Sequence, residues 1–160
     1  MSIHCVIADY ENIAHKTAIQ ALMDHYAKDP AGGGEAIASS CLAQLPQALA
    51  QFPGALTIIA YEDKRAIGLL NAFPGFSTFK CRPLLNIHDI VVHEDFRRRG
   101  VCREMLLTLE EQARARRCCK ITLEVLSGND RAKAVYQNFG FSGYELEPSM
   151  GQAIFWQKNL

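Results

Sequence analysis

The chain has 160 residues, with seventeen basic side chains against seventeen acidic ones and 49% apolar residues. That is the length of one compact domain, enough to bury a core without disulfides or a metal to close it, and the even balance excludes a general attraction to nucleic acid or membrane. The opening MSIHCVIADYEN has no basic stretch running into an apolar one, and no segment approaches the roughly twenty apolar residues that span a bilayer, so a cytoplasmic protein is expected.

Ile3 to Ala8 predicts a short strand, and Ile13, Thr17, Leu22 and Tyr26 approximate one face of a helix from about Asn12 to Ala27. Gly32 to Gly34 break the pattern. From Glu35, the residues Ile37, Cys41, Leu45 and Leu49 recur at helical spacing until Phe52-Pro53-Gly54 stops the chain. Leu56–Tyr61 and Ala66–Phe73 are apolar strand patterns joined by the charged turn EDKR. The aromatic, glycine-bearing PGFSTFKCR predicts a loop or a bulged strand edge, and Leu84 to His93 a further strand. A long amphipathic helix is expected from about Arg98 to Arg117, a strand at Ile121 to Leu126 and a helix from Asn129 to Phe139 ended by Gly140. Two short strands, at Phe141 to Glu145 and Ala153 to Gln157, would close the chain. Three antiparallel strands joined to a strand-helix-strand unit predict an α/β (α+β) domain over residues 1–160 with a mixed, mostly antiparallel sheet flanked by helices.

The six cysteines show neither a C-x-x-C pair nor a histidine spacing typical of zinc, which predicts reduced, mostly buried thiols and no metal site. Charge is unevenly spread: residues 97–133 hold ten basic side chains against five acidic, residues 1–96 six against ten. The run FRRRG at the start of the long helix is therefore open to three readings: a nucleic-acid patch, a solvated stretch or the rim of a small-anion site. A strand turning sharply into a helix points unpaired N–H groups and the positive end of the helix dipole at one spot, where phosphate binds well. Gly100 lets the backbone approach an anion closely.

Two stretches together decide between them. Arg97-Arg98-Arg99-Gly100-Val101-Cys102 follows a strand and opens a helix. After the next strand come Asn129, Ala132, Tyr136 and Gly140-Phe141 at spacings of three, four and four. This pattern resembles the GNAT N-acetyltransferase superfamily, closely over residues 84–141 and in element order throughout, and around residues 76–100 it also resembles polyamine acetyltransferases. The resemblance implies a GNAT fold with about six to seven strands and about four helices. It implies acetyl-CoA as co-substrate, with backbone amides from about Arg98 to Arg103 on the pyrophosphate. The pantetheine arm would run beside Ile90, Val91 and Val92, with Arg97, Asn129 and Ala132 also on the cofactor and Tyr136 near its sulfur. Cys102 departs from the family's usual Gly or Ala, and a buried thiol is expected there.

Aminolysis of a thioester needs a base for an amine whose pKa is near 10, a donor for the oxyanion and an acid for the leaving thiolate. Tyr136 is the candidate acid and a backbone N–H near Val92 the oxyanion donor. His88 and Asp89 are candidate bases because titratable groups inside the apolar strand LLNIHDIVV are costly unless used. Strand alternation would let only one of them face the acceptor. Glu124 is a third candidate, a carboxylate that could bind or deprotonate a cationic amine. Tyr26, Asp29, Glu35, Phe73, Phe76 and Phe79 offer the acceptor aromatic and acidic groups. The expected reaction is acetyl transfer to a primary amine of a small molecule, by direct attack, with a homodimer possible and no nucleic acid or membrane as partner. Acetylation of a protein lysine or N-terminus, or a non-catalytic CoA-binding module, are the alternatives.

Overall fold

The computed structural model describes residues 2–144 and 147–160, which form two compact units, Met1–Glu124 and Val125–Leu160. In the larger unit β1 (Ile3–Ile7), β2 (Leu56–Glu62), β3 (Arg65–Ser77), β4 (Arg82–Val92) and β5 (Ile121–Leu123) make one sheet in that order. The first four strands are antiparallel neighbours; β5 lies parallel to β4.

Helices α1 (Ile13–Lys28) and α2 (Ser39–Gln51) pack together, and α1 lies on β3. Asn12 starts α1 by accepting the Ala14 and His15 N–H groups on its side-chain oxygen, at 2.9 and 3.3 Å. The helix buries Ala18, Ile19, Leu22, Met23 and Ala27, the first four in a core with Leu49, Ile59, Leu69 and Val91. Pro46 sits inside α2, where its missing N–H would orphan the Leu42 carbonyl. Gln20 of α1 satisfies that carbonyl with a 3.2 Å hydrogen bond. Helix α3 (Val101–Ala115) covers the opposite face, since Gly68 meets Val101 and Met105 there while its neighbour Leu69 points to α1.

Among the described residues four α-helices appear as expected, but the sheet has five strands rather than six to seven. Residues 153–157 have no regular structure, and Ile154, Phe155 and Trp156 are exposed; a strand needs a ladder partner, and a short apolar run does not supply one. Of the strand expected at 141–145, residues 141–144 have no regular structure and Glu145 lies outside the described residues. PGFSTFKCR extends the β3–β4 hairpin, with its turn at residues 78–81. Strand β5 is half the expected length because it pairs with Leu85 to Ile87 alone, and β4 changes register at the next residue. All six thiols are free, but Cys41 and Cys81 are exposed and the other four half-buried, which corrects the expectation of mostly buried cysteines. Among the described residues no helix is long and apolar enough to cross a membrane.

In the smaller unit α4 (Asp130–Phe139) is capped at both ends. Asn129 accepts the Ala132 N–H at 3.1 Å, and Gly140 closes the helix in the left-handed region at φ 110°.

Candidate active site

The register between β3 and β4 shifts after Asn71: Asn71 faces Asp89, Ala72 faces Ile87, and His88 is the extra residue of a bulge. The bulge cancels the alternation expected of a regular strand. Asp89 accepts a 3.0 Å hydrogen bond from the Asn71 side-chain amide, which also reaches the Met23 sulfur of α1 at 3.5 Å. His88 meets the Phe73 ring edge-on, and Phe73 in turn packs against Phe52 at the end of α2. Both titratable groups therefore lie on the side of α1 and α2, where one was expected to point away.

Asp89 ends a chain of buried polar groups. The Thr57 hydroxyl donates to Asn71 at 2.6 Å and lies 2.9 Å from the Tyr10 hydroxyl. Thr57 and Asn71 are almost completely buried, so each depends on these bonds. Burial pushes the Tyr26 hydroxyl above its usual value, with the charges of Asp89 and Asp29 adding to it, so the phenol stays protonated above the sheet. Asn71, Thr57 and Tyr10 were not among the sequence candidates. The signal was present for Asn71, a lone polar residue within the apolar run AIGLLNAF, as it was for Asp89.

Beyond Ile87, the β5 side of β4 has no strand neighbour among the described residues, so the stretch from His88 through Ile90, Val91 and Val92 has no ladder partner there, the Val92 carbonyl alone being taken by the Arg97 side chain. The chain then makes a short 3₁₀ turn at Glu94–Phe96 and enters α3 through Arg98 and Gly100, both left-handed at φ 64° and 83°. Among the described residues no side chain caps α3. The N–H groups of Val101, Cys102 and Arg103 thus have no acceptor within the helix, and the dipole's positive end stands behind them. A Cβ on Gly100 would meet nothing within 4 Å, so glycine is needed there for its backbone conformation.

The three arginines part company. Arg97 donates from Nε to the Val92 carbonyl at 3.1 Å and from Nη2 to Asp29 at 2.8 Å, locking the loop to the end of α1. Arg99 pairs with the buried Glu62 and lies over the Phe96 ring, 5.1 Å from its centroid. Arg98 has no partner among the described residues and is exposed. Burial pushes the Cys102 thiol up to about 11, which makes it a protonated packing group at neutral pH. Arg103 is exposed beside Glu104.

The acceptor candidates are spread wider. Tyr26 is half-buried on α1 and Glu35 is exposed before α2. Phe76 and Phe79 are exposed on and beyond the end of β3, while Phe73 is held beside His88. Glu124 is exposed directly after β5. In the smaller unit Tyr136 is buried with its ring edge-on to Phe141, and Asn129 and Ala132 are joined by the helix cap.

A family model described as the acetyltransferase (GNAT) family matches residues 18–141. No curated protein sequence matches the chain. Among solved structures, AAC(6′)-Iy in complex with the bisubstrate analogue CoA-S-monomethyl-acetylneamine is 18% identical, with 100% of both chains covered and a TM-score of 0.79. An aminoglycoside acetyltransferase from an uncultured soil metagenomic sample is also 18% identical, covering 92% of this chain and 96% of its own, with a TM-score of 0.73. A ribosomal-protein-alanine N-acetyltransferase from Brucella melitensis biovar Abortus 2308 is 17% identical, covering 91% and 99%, with a TM-score of 0.67.

Proposed function

The chain belongs to the GNAT acetyltransferase family, and from that premise we propose that it moves the acetyl group of acetyl-CoA directly to a primary amine of a small cationic molecule. The observation that carries this reading is the uncapped start of α3 behind Gly100, next to the open edge of β4. Amides and dipole there suit a pyrophosphate, and an unpaired strand edge suits the amide groups of a pantetheine arm. The free side chain of Arg98 adds charge from outside.

In the proposed mechanism the amine arrives protonated and must lose a proton before its nitrogen attacks the thioester carbon. Asp89 takes that proton, directly or through a water, with Asn71 holding its carboxylate in place; His88, on the same side of the sheet, is the alternative base. The oxyanion accepts a hydrogen bond from a backbone N–H near Val92. When the carbon–sulfur bond breaks, the thiolate takes a proton from the Tyr136 hydroxyl. The Asn129 side-chain oxygen already caps α4, which leaves its amide nitrogen for the cofactor. Acids and aromatics at Tyr26, Glu35, Phe76 and Glu124 favour a cationic acceptor.

The fold neighbours named as aminoglycoside acetyltransferases support a small polycationic amine, and one named for a ribosomal protein keeps peptide amines in the test. The full-length protein with acetyl-CoA is assayed for CoA release across polyamines, aminoglycosides, amino-acid amines and peptides with free N-termini or lysines. Turnover on one of the small amines supports the reading. Turnover confined to peptides replaces the acceptor class, and tight acetyl-CoA binding without release across the panel removes the catalytic reading.

A further inference from the structure

His25 on α1 and His93 and Glu94, directly after β4, come together although 68 residues separate the histidines; their ligand atoms lie within 4.8 Å of one another. The two imidazoles are stacked, with centroids 4.6 Å apart and planes 8° apart. The Glu94 carboxylate stands 2.8 Å from His25 Nε2, yet that nitrogen is buried and makes no hydrogen bond of proper direction. The contact is one of proximity alone, so the nitrogen's directed valence is left unused. His93 uses Nδ1 on the Asp95 N–H at 3.4 Å, which leaves Nε2 for another partner.

We infer that His25, His93 and Glu94 form a site for a first-row divalent cation, zinc by the chemistry of its donors, that ties the end of α1 to the turn leading into Gly100. Two imidazole nitrogens and one carboxylate oxygen are a donor set zinc accepts, with a fourth position left to water or an outside ligand. Ligand atoms around tetrahedral zinc stand about 3.3–3.5 Å apart, so the present spacing needs shifts on the order of an ångström. One stacked ring must tilt so that both lone pairs converge, and Glu94, largely exposed, is free to follow. Three cations on the adjoining segments are already paired: Arg97 with Asp29, Arg65 with Asp95 and Lys28 with Asp24. None of them is left unpaired to repel a metal. The site lies outside the groups assigned to acetyl transfer.

The test titrates the full chain, stripped with chelator, with zinc chloride and with cobalt(II) as a spectroscopic probe, because the six free thiols could also take metal. One saturable equivalent is expected, without a thiolate-to-cobalt charge-transfer band. Its affinity falls at least tenfold in both His25→Gln and Glu94→Gln, and zinc raises the melting temperature of the parent protein but not of these variants. Circular dichroism checks that both remain folded; Glu94→Gln, at an exposed position, keeps the test alive if His25→Gln does not fold. Absence of a one-equivalent site, a thiolate band on the bound cobalt, or unchanged affinity in a folded variant would overturn the proposal.

Discussion

The Asn71 side-chain amide donates a 3.0 Å hydrogen bond to Asp89 across the β3–β4 pair, at the residue where the register breaks. Asn71 is also the acceptor for Thr57, so one buried side chain both holds the carboxylate and links it to a polar chain reaching Tyr10. Asp89→Asn is expected to lower kcat about 100-fold, within the usual range for loss of a general base. Asn71→Leu takes the Asn71 partner from both Thr57 and Asp89, leaving Thr57 only its contact with Tyr10, costs about 1–3 kcal/mol of stability, and lowers kcat with little change in the KM for acetyl-CoA. Steady-state kinetics with denaturant melts check both, and an Asp89→Asn enzyme with parental kcat would pass the base role to His88.

Gly100 holds φ 83° where nothing would touch a Cβ. Gly100→Val is therefore expected to fail through backbone conformation, by about 1–2 kcal/mol or more, since the left-handed region is worst for β-branched residues. Calorimetry should show acetyl-CoA affinity reduced at least tenfold. Normal binding by a folded Gly100→Val protein would remove the loop from the pyrophosphate site.

Neighbouring arginines should give opposite phenotypes. Arg99→Ala strands the buried carboxylate of Glu62 and is expected to cost about 1–2 kcal/mol, the pair being partly open to solvent. Arg98→Ala breaks no hydrogen bond or ion pair among the described residues, so stability should stay within about 0.5 kcal/mol while acetyl-CoA affinity drops a few-fold. Melting curves and calorimetry on the same two proteins separate these effects.

The Asp29–Arg97 pair supplies a pH dependence of known sign. The hydrogen bond from Arg97, helped by the Ala31 N–H, holds the Asp29 carboxyl below the usual aspartate value. A carboxylate with a depressed folded pKa stabilises fully above its unfolded value of about 4 and loses that contribution as pH falls through the lower folded value. The melting temperature of Asp29→Asn should thus lie below that of the parent at neutral pH, and the gap should close as the pH falls below the unfolded value and through the lower folded one. A gap that persists in acid would show that the pair acts through packing instead.

Tyr136→Phe keeps the buried ring against Phe141 and removes the hydroxyl alone. Turnover is expected to fall about 100-fold or more, with acetyl-CoA affinity changed by less than about threefold. Unchanged kcat would take the acid role away from Tyr136.

Much of this was legible locally. Asn12 and Asn129 as helix starts, Gly140 as a helix end, and the amphipathic faces of α1 and α3 each follow from residues within a few positions of one another, because caps and periodicity are short-range physics. So did the glycine turn and the family pattern around it. That residues 153–157 form no strand was not legible, since a short apolar run looks the same whether or not a neighbour exists to pair with it.

The sequence by itself determined which chemical groups the protein carries and which local elements present them. Tertiary structure decided what those groups face. A bulge in β4 brought His88 and Asp89 to one side, and pairings across 68 and 37 residues took Arg97 and Arg99 out of the apparent basic patch. The same distance brought His25 beside His93 with no spacing that could announce it. Strand register and long-range ion pairs are fixed by how the whole sheet and its helices pack, and no window of neighbouring residues contains that information.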